Sequence, residues 1–205
     1  MSDHINLLAI HIQEQIHQSR QLLDVPLGLA IFGSARTPES DHWYQDAFNL
    51  AALAAKHQVP VISGGGPGIM TAANRGAFLN DGIAVGLNIE LPHEQHANAF
   101  QTHSLYFKHF PPRKIAFLAH SKAFAVYPGG FGTLDELFEV LTLVQTGKEG
   151  KKPIVLVDKQ YWAGLIAWIE DQLVSRKMIH PDDVGLFKLV DSAEEAWEHV
   201  KDVLI

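Results

Sequence analysis

The stretch from Pro128 to Glu136 combines residue types that bind anions with a carboxylate that can do chemistry. It reads Pro-Gly-Gly-Phe-Gly-Thr-Leu-Asp-Glu, after the apolar run Ala123–Tyr127 and before a helical pattern. Glycines let a backbone approach a ligand closely, and the N-terminus of a helix favours negative charge. We therefore predict a strand, an anion-binding turn and a helix here. The residues of the turn expected to approach the ligand are Gly129, Gly130 and Gly132, with Phe131 between them fixing the loop.

Two interpretations of Glu136 remain open. Thr133 and Glu136 have the spacing of a capping box, which predicts Thr133 as the N-cap and Glu136 as a capping partner. Alternatively, the Glu136 carboxylate lies at the mouth of the anion-binding turn, where a catalytic acid would be useful.

Two further turns also follow predicted strands. Gly64–Met70 reads Gly-Gly-Gly-Pro-Gly-Ile-Met, and Gly33–Arg36 contains Ser34. The first is not a dinucleotide fingerprint, because Ile69 stands where a glycine is required, and no Gly-Lys-Ser/Thr sequence supports a P-loop. Carboxyl ends of parallel strands meet at one edge of a sheet, so the turns should converge on one phosphate site. The residues expected to bind there are Ser34, Gly65, Gly66, Gly68 and Met70.

Arg113 and Lys114 open a predicted helix after two prolines. They are either a solvated basic pair or a phosphate-binding pair, in which the planar Arg113 guanidinium also orients a carboxylate. The chain has 12 histidines and no cysteine. Four histidines fall between 90 and 110 without the spacing of a metal site, so we predict no metal and no cofactor.

Composition excludes several classes of protein. The 205 residues carry a net charge of −7 and are 47% apolar and 19% charged. This indicates a globular protein without the basic face of a nucleic-acid binder. No stretch is long and apolar enough for a membrane span, and no signal peptide is evident. We expect a single domain over residues 1–205 in a cytoplasmic protein, with no nucleic-acid or membrane partner.

Strand and helix patterns alternate along the chain, which predicts an α/β fold with a doubly wound, mainly parallel sheet and flanking helices. An extra amphipathic helix covers residues 4–23, before a core at 27–200. The predicted strands are Leu27–Phe32, Val59–Ser63, Ile83–Leu87, Ser104–Phe107, Ala123–Tyr127, Pro153–Val157 and Leu186–Val190. Later helices are predicted at Tyr44–His57, up to Ala77, and at Pro111–His120, Leu134–Gln145, Trp162–Val174 and Ala193–Val203.

The motif at Pro128–Glu136, with Arg113-Lys114 and Gly64–Met70 upstream of it, resembles the LOG (Lonely Guy) family. The resemblance covers about residues 27–200. That family has a Rossmann-like fold and includes cytokinin-activating phosphoribohydrolases and bacterial nucleotide 5′-monophosphate nucleosidases. Many of its members carried an older label of lysine decarboxylase, but nothing in this sequence indicates a pyridoxal-phosphate site.

The resemblance implies hydrolysis of the N-glycosidic bond of an AMP-like nucleoside 5′-monophosphate, giving free base and ribose 5-phosphate. It implies that Arg113 and Glu136 are catalytic, and that Lys114 and the turn at 129–133 bind the nucleotide. Thr142 and Glu94 match further binding positions. The resemblance also implies a homodimer or a larger homo-oligomer.

The sequence departs from plant-type members at Phe131, where tyrosine is commoner, and at Asp135, where they have glutamate. These changes leave the implied reaction intact and the preferred base open, since base specificity lies in the connection from 90 to 110. The alternative is a nucleotide or molybdenum-cofactor carrier without hydrolysis, because such carriers share this scaffold. A dehydrogenase is a distant third hypothesis.

Overall fold

A seven-stranded sheet forms the centre of the structure, a computed structural model that describes residues 2–22, 24–91 and 96–205. Its strands are β1 Gly28–Phe32, β2 Val61–Ser63, β3 Ala84–Ile89, β4 His103–Phe107, β5 Ser121–Val126, β6 Ile154–Val157 and β7 Lys188–Val190. Their spatial order is β4-β3-β2-β1-β5-β6-β7, and all neighbouring pairs are parallel. The predicted α/β fold with a parallel sheet is confirmed.

Helices precede, connect and follow these strands. They are α1 Ser2–Gln18, α2 His42–Lys56, α3 Ile69–Phe78, α4 Phe110–His120, α5 Phe131–Gln145, α6 Lys159–Trp168 and α7 Ala193–Leu204. Short 3₁₀ segments lie at Ser19–Leu22 and Pro181–Leu186, and Ile169–Val174 continues α6 as a π-helical segment. Within the described ranges, no helix has the length and apolar character needed to cross a membrane. The largest difference from the prediction near the site is α5, which begins at Phe131 rather than Leu134.

Both faces of the sheet are covered by helices, as the alternation of strand side chains requires. Leu29 and Ile31 of β1 belong to the core beneath α2, α3 and α7. Ala30 and Phe32 of the same strand belong to the opposite core, beneath α4, α5 and α6. A strand buried on both faces has a continuous apolar sequence rather than an alternating one. The doubly wound arrangement is therefore visible in the sequence of β1 itself.

The strand order reverses between β1 and β5, where the chain first builds outward to β4 and then returns to the centre. In open α/β sheets, ligands bind at such a switch point, outside the carboxyl ends of the strands. The turns at 33–36 and 128–132 follow these two central strands, and the turn at 64–68 follows the adjacent β2. The topology therefore brings all three predicted turns to one edge.

Helix α1 packs outside the sheet, against α4. Where α1 meets the segment before α4, a polar side chain is buried: Gln15 is only 5% exposed. Its Oε1 accepts hydrogen bonds from the backbone N–H groups of Lys108 (3.0 Å) and His109 (3.2 Å), just before α4 begins. The predicted N-terminal helix is confirmed, with a 3₁₀ segment in place of its last turn. That residues 1–205 form one domain stays a prediction.

Candidate active site

Backbone hydrogen bonds join the three turns at the sheet edge. The Ser34 N–H donates to the carbonyl oxygen of Pro128 at 3.0 Å. The Ser34 carbonyl oxygen in turn accepts from the N–H of Ile69, also at 3.0 Å. The turn after β1 therefore lies between the other two and is bonded to both.

Gly68 makes this close approach sterically possible. Its φ is +64°, and a Cβ at this position would lie 2.3 Å from the Ser34 carbonyl oxygen. Any side chain would therefore be strained twice, by the left-handed backbone and by the neighbouring turn. The role of Gly68 is to bring two turns together, since it does not line the cavity described next.

A cavity of about 680 Å³ opens between the three turns and the connection after β3. Its lining includes Ser34, Gly66, Met70, Arg113, Gly130, Phe131, Gly132, Thr133 and Glu136, all predicted site residues. The structure therefore brings most of the predicted site together, from segments as far apart as residues 34 and 136. A volume of this size is in the range of small-molecule sites.

Arg113 is held against the cavity wall by its own hydrogen bonds. Its side chain donates from Nε to the Leu87 carbonyl oxygen at 2.7 Å and from Nη2 to the Gly64 carbonyl oxygen at 3.4 Å. The guanidinium lies 5.2 Å from the centre of the Phe117 ring. Burial lowers the pKa of Arg113, while the charge of Glu136 opposes that shift. These contacts fix the guanidinium plane, so that Nη1 is presented to Glu136.

Glu136 lies beside Arg113 in the lining of the cavity, with its Oε1 3.4 Å from Arg113 Nη1. Burial raises the pKa of Glu136 to about 7, and the Arg113 charge only partly opposes this. The charge of Asp135 raises the pKa further, and that of Lys114 lowers it. A carboxyl group that titrates near neutral pH can exchange protons during a reaction.

The prediction that Thr133 caps α5 is wrong. The N-cap is Gly130, and no side chain bonds to the cap. The helix starts earlier because Gly130 already has the extended backbone of an N-cap residue, so that helical geometry begins at Phe131. Thr133 instead lies against Gly129, where a Cβ would come within 2.2 Å of the Thr133 Oγ1. Glu136 is therefore free of a capping role and lies in the second turn of the helix.

The first turn of α5 supplies backbone donors to the cavity. The first N–H of this helix with an α-helical acceptor is that of Leu134, which bonds to Gly130 at 3.0 Å. The N–H groups of Phe131, Gly132 and Thr133 come before it and have no acceptor within the helix. Together with the positive end of the helix dipole, they form a site suited to a phosphate.

Gly65 and Gly129 do not line the cavity, but hydrogen bonds to their carbonyl oxygens hold both turns in place. The Gly65 carbonyl oxygen is held by Asn98 and Gln101. The Gly129 carbonyl oxygen accepts a 2.7 Å hydrogen bond from the Tyr161 hydroxyl.

Lys114 and Thr142 lie away from the cavity, on the outer side of α5. Lys114 Nζ pairs with Asp135 at 3.2 Å and with Glu139 at 3.4 Å. The Thr142 hydroxyl donates to the Phe138 carbonyl oxygen at 2.7 Å and borders a second, shallower groove. Glu94, the remaining predicted site residue, lies outside the described residues.

Several cavity residues were not predicted from the sequence as site residues. They include Arg36, Asn88, His96 and Phe110. Asn88 is the clearest: it is 5% exposed and is the next-to-last residue of the apolar strand β3. A buried amide at a strand end is a signal that could have identified it. Arg36 belongs to the predicted turn after β1, but its side chain was not singled out.

No group of three or more His, Cys, Asp or Glu side chains is arranged to hold a metal ion in the ranges 2–22, 24–91 and 96–205. His93 lies outside these ranges. The predicted absence of a metal and of a cofactor stays a prediction.

Comparison of sequences identifies related enzymes. A cytokinin riboside 5′-monophosphate phosphoribohydrolase from Rhodococcoides fascians is 28% identical over 161 residues, covering 76% of this chain and 80% of that protein. The Arabidopsis thaliana enzyme LOG1, which has the same name, is 36% identical over 90 residues, covering 44% of this chain and 42% of LOG1. The match to LOG1 thus spans less than half of either protein.

Solved structures share the fold. The molybdenum cofactor binding protein from Rippkaea orientalis has a TM-score of 0.63 at 19% identity, covering 88% of this chain and 98% of that one. The molybdenum cofactor carrier protein from Chlamydomonas reinhardtii has a TM-score of 0.62 at 22% identity, covering 87% and 98%. At these identities the likeness concerns the fold alone.

The family described as "Possible lysine decarboxylase" matches residues 70–200, well over half of the chain. The match contains the turn at 128–132, Arg113 and Glu136. Given this match, the phosphoribohydrolase relatives and the shared parallel sheet, the chain belongs to this family, the LOG family.

Proposed function

We propose that the protein is a nucleoside 5′-monophosphate phosphoribohydrolase, which hydrolyses the N-glycosidic bond to give free base and ribose 5-phosphate. The observation that carries the proposal is the Glu136 carboxyl, with a pKa of about 7, facing Arg113 in a cavity walled by glycine turns. The named activity of the relatives from Rhodococcoides fascians and Arabidopsis thaliana supports it.

The phosphate is proposed to bind at the N-terminus of α5, with the turn after β2 on the other side. Both segments line the cavity and present backbone rather than acidic side chains at this point. Binding at a group remote from the reacting bond can align that bond with the catalytic side chains.

Glu136 is proposed to act at the sugar. As the C1′–N bond breaks, its electron pair leaves with the base and positive charge develops on the ribose ring. The Glu136 carboxylate stabilises that charge and accepts a proton from the water whose oxygen bonds to C1′. The base takes up a proton from solvent water as it leaves, and Glu136 returns its proton to solvent after the reaction. These steps need the ionised form of Glu136.

Arg113 is proposed to hold the ribose or phosphate and to orient Glu136. Its bonds to Leu87 and Gly64 leave Nη1 for this purpose. A lysine could not make the same set of contacts, because it lacks the planar fork of donors.

The test is release of free base and reducing sugar from AMP, GMP, CMP, UMP and isopentenyladenosine monophosphate. Wild type should release base from at least one of them, and Glu136→Ala should lose about 10²-fold or more of the rate while still binding nucleotide. The matched control is Glu149→Ala, because Glu149 pairs with Lys152 beyond α5 and lies outside the cavity. Equal rates for wild type and Glu136→Ala would overturn the proposal.

A nucleotide or molybdenum-cofactor carrier is the second candidate, because two solved structures with this fold are named as molybdenum cofactor proteins. A carrier has no need of a titrating carboxyl in its cavity, so Glu136 favours the enzyme. Tight binding of AMP in calorimetry, without base release from any of the five nucleotides, would support the carrier instead.

We also propose that the protein forms a homodimer or a larger homo-oligomer. Phe131 is 93% exposed and Phe138 is 37% exposed, and both border the groove on the outer side of α5. Association through this groove would remove these rings from water. Light scattering after gel filtration should give at least twice the monomer mass for wild type, and a lower mass for Phe138→Glu.

A further inference from the structure

Three N–H donors converge on the carbonyl oxygen of Gly65. They are the backbone N–H of Asn98 at 2.8 Å, its side-chain Nδ2 at 3.0 Å and the Nε2 of Gln101 at 2.9 Å. A carbonyl oxygen has two lone pairs, so three donors saturate it. The direction of this carbonyl group is therefore fixed by the segment from Asn98 to Gln101.

The two amide side chains are themselves held by buried partners. Asn98 Nδ2 lies 2.9 Å from Oδ1 of Asn74, a fully buried residue that also accepts from Ser63 Oγ at 2.7 Å. Gln101 Oε1 accepts from Asn88 Nδ2 at 3.0 Å. A buried network with satisfied partners is rigid, because each break leaves an unpaired polar group.

The orientation of the Gly65 carbonyl decides where the next N–H points. The chain has no cis peptide bond within the described residues. In a trans peptide the C=O and the following N–H point in opposite directions. The Gly66 N–H therefore points away from Asn98 and Gln101, and Gly66, unlike Gly65, lines the cavity.

The turn can adopt this arrangement only with glycine at position 65. Its φ is +74°, and a Cβ there would lie 2.0 Å from Asn88 Oδ1. No described residue accepts a hydrogen bond from the Gly66 N–H. The geometry thus leaves one oriented backbone donor beside the cavity, opposite the N-terminus of α5.

We propose that Asn98 and Gln101 are positioning residues that aim the Gly66 N–H at the phosphate of the substrate. The inference rests on the proposed function only in naming a phosphate ester as the ligand. Neither side chain lines the cavity, and both donate to the Gly65 carbonyl oxygen, so each acts on the ligand through the Gly65–Gly66 peptide. Asn98 Nδ2 also donates to the Gly66 carbonyl oxygen at 3.1 Å. His96 and Ala97, next to Asn98 in the sequence, do line it, which couples the wall of the cavity to the phosphate-binding turn.

The experiment measures binding of ribose 5-phosphate by calorimetry and the amide proton shift of Gly66 by NMR. The variants are Asn98→Ala and Gln101→Ala. The matched control is Asn80→Ala, whose amide caps the end of α3 by a 2.9 Å bond to Gly76 and lies outside the network. Asn98→Ala should weaken ribose 5-phosphate binding about tenfold, Gln101→Ala by less, and Asn80→Ala not at all.

The NMR signal separates positioning from a loss of general stability. In wild type, saturation with ribose 5-phosphate should move the Gly66 amide proton downfield, and the shift should be smaller in both network variants. An unmoved Gly66 signal in wild type, or unchanged affinity in both variants, would overturn the proposal. If Asn98→Ala does not fold, Gln101→Ala alone tests the proposal, because this variant keeps both Asn98 hydrogen bonds to the Gly65 carbonyl oxygen. Failure of the proposed function is a separate result, namely absence of base release, since this binding needs no hydrolysis.

Discussion

The Glu136 carboxylate lies 3.4 Å from the Arg113 guanidinium, and yet its pKa is raised to about 7 rather than lowered. An opposite charge at this distance favours the ionised form, whereas burial disfavours it. Burial is the larger effect here, because the Glu136 side chain is only 15% exposed. The pair therefore contains a carboxyl that changes its charge near neutral pH.

The first prediction concerns the pH dependence of base release. Since the ionised form of Glu136 is required, the rate should rise with pH and reach half its maximum near pH 7. Initial rates with AMP between about pH 5 and pH 9 measure this dependence. A rate that is flat across this range, or falls as the pH rises, would contradict the proposed role of the carboxylate.

The second prediction concerns Arg113→Met. The Arg113 charge lowers the pKa of Glu136, so its removal should raise that pKa and move the titration to higher pH. The ¹³C signal of the Glu136 carboxyl reports the titration even if activity is lost. Lys114→Met serves as a control, because Lys114 lowers the same pKa by less and should give a smaller shift. A larger shift for Lys114→Met would contradict the geometry.

The third prediction links the same pKa to stability. The folded-state pKa of about 7 exceeds the ordinary value of 4.5, so between these values the folded protein binds more protons than the unfolded one. Stability from this group is therefore present below pH 4.5 and lost as the pH rises through about 7. As the pH rises from 4.5 to 7, the free energy of unfolding of Glu136→Gln should increase relative to that of wild type by up to about 3 kcal/mol. Urea unfolding of both proteins at pH 5 and pH 8 measures this difference, and a constant gap would disprove it.

The fourth prediction compares two glycines. Gly68→Ala should lower the free energy of unfolding by about 2 kcal/mol or more, because Gly68 has a positive φ and a Cβ there would clash with the Ser34 carbonyl oxygen. Gly164 lies within α6 with open space around it. Gly164→Ala should therefore raise the free energy of unfolding by about 0.5–1 kcal/mol. Thermal and urea unfolding measure both changes. Equal changes for Gly68→Ala and Gly164→Ala would contradict the expected clash between a Cβ at position 68 and the turn after β1.

The apolar strands and the glycine turns could be predicted from the sequence, because their signals are local. β1 is apolar throughout, and its end is marked by Gly33. The convergence of the turns followed from a rule about parallel sheets rather than from any contact. The start of α5 was predicted wrongly because Thr133 has a favourable capping residue type, whereas the actual helix begins at Phe131.

The contacts within the site could not be predicted, because they depend on side chains distant in the sequence. Asn98 and Gln101 lie in a connection without periodicity, and their partner Gly65 is more than 30 positions away. Lys114 was grouped with Arg113 by adjacency, but neighbouring helix positions point about 100° apart. It therefore faces Asp135 on the outer side of α5 rather than the cavity.

Ser34 is bonded through its N–H to one neighbouring turn and through its carbonyl oxygen to the other. The turns are consequently aligned before any ligand arrives, and none can rotate without breaking a bond to its neighbour. A ligand that enters between them has little backbone to order, so little conformational entropy is lost on binding. Affinity at this edge of the sheet should therefore depend mainly on how well the ligand's oxygens match donors that are already in place.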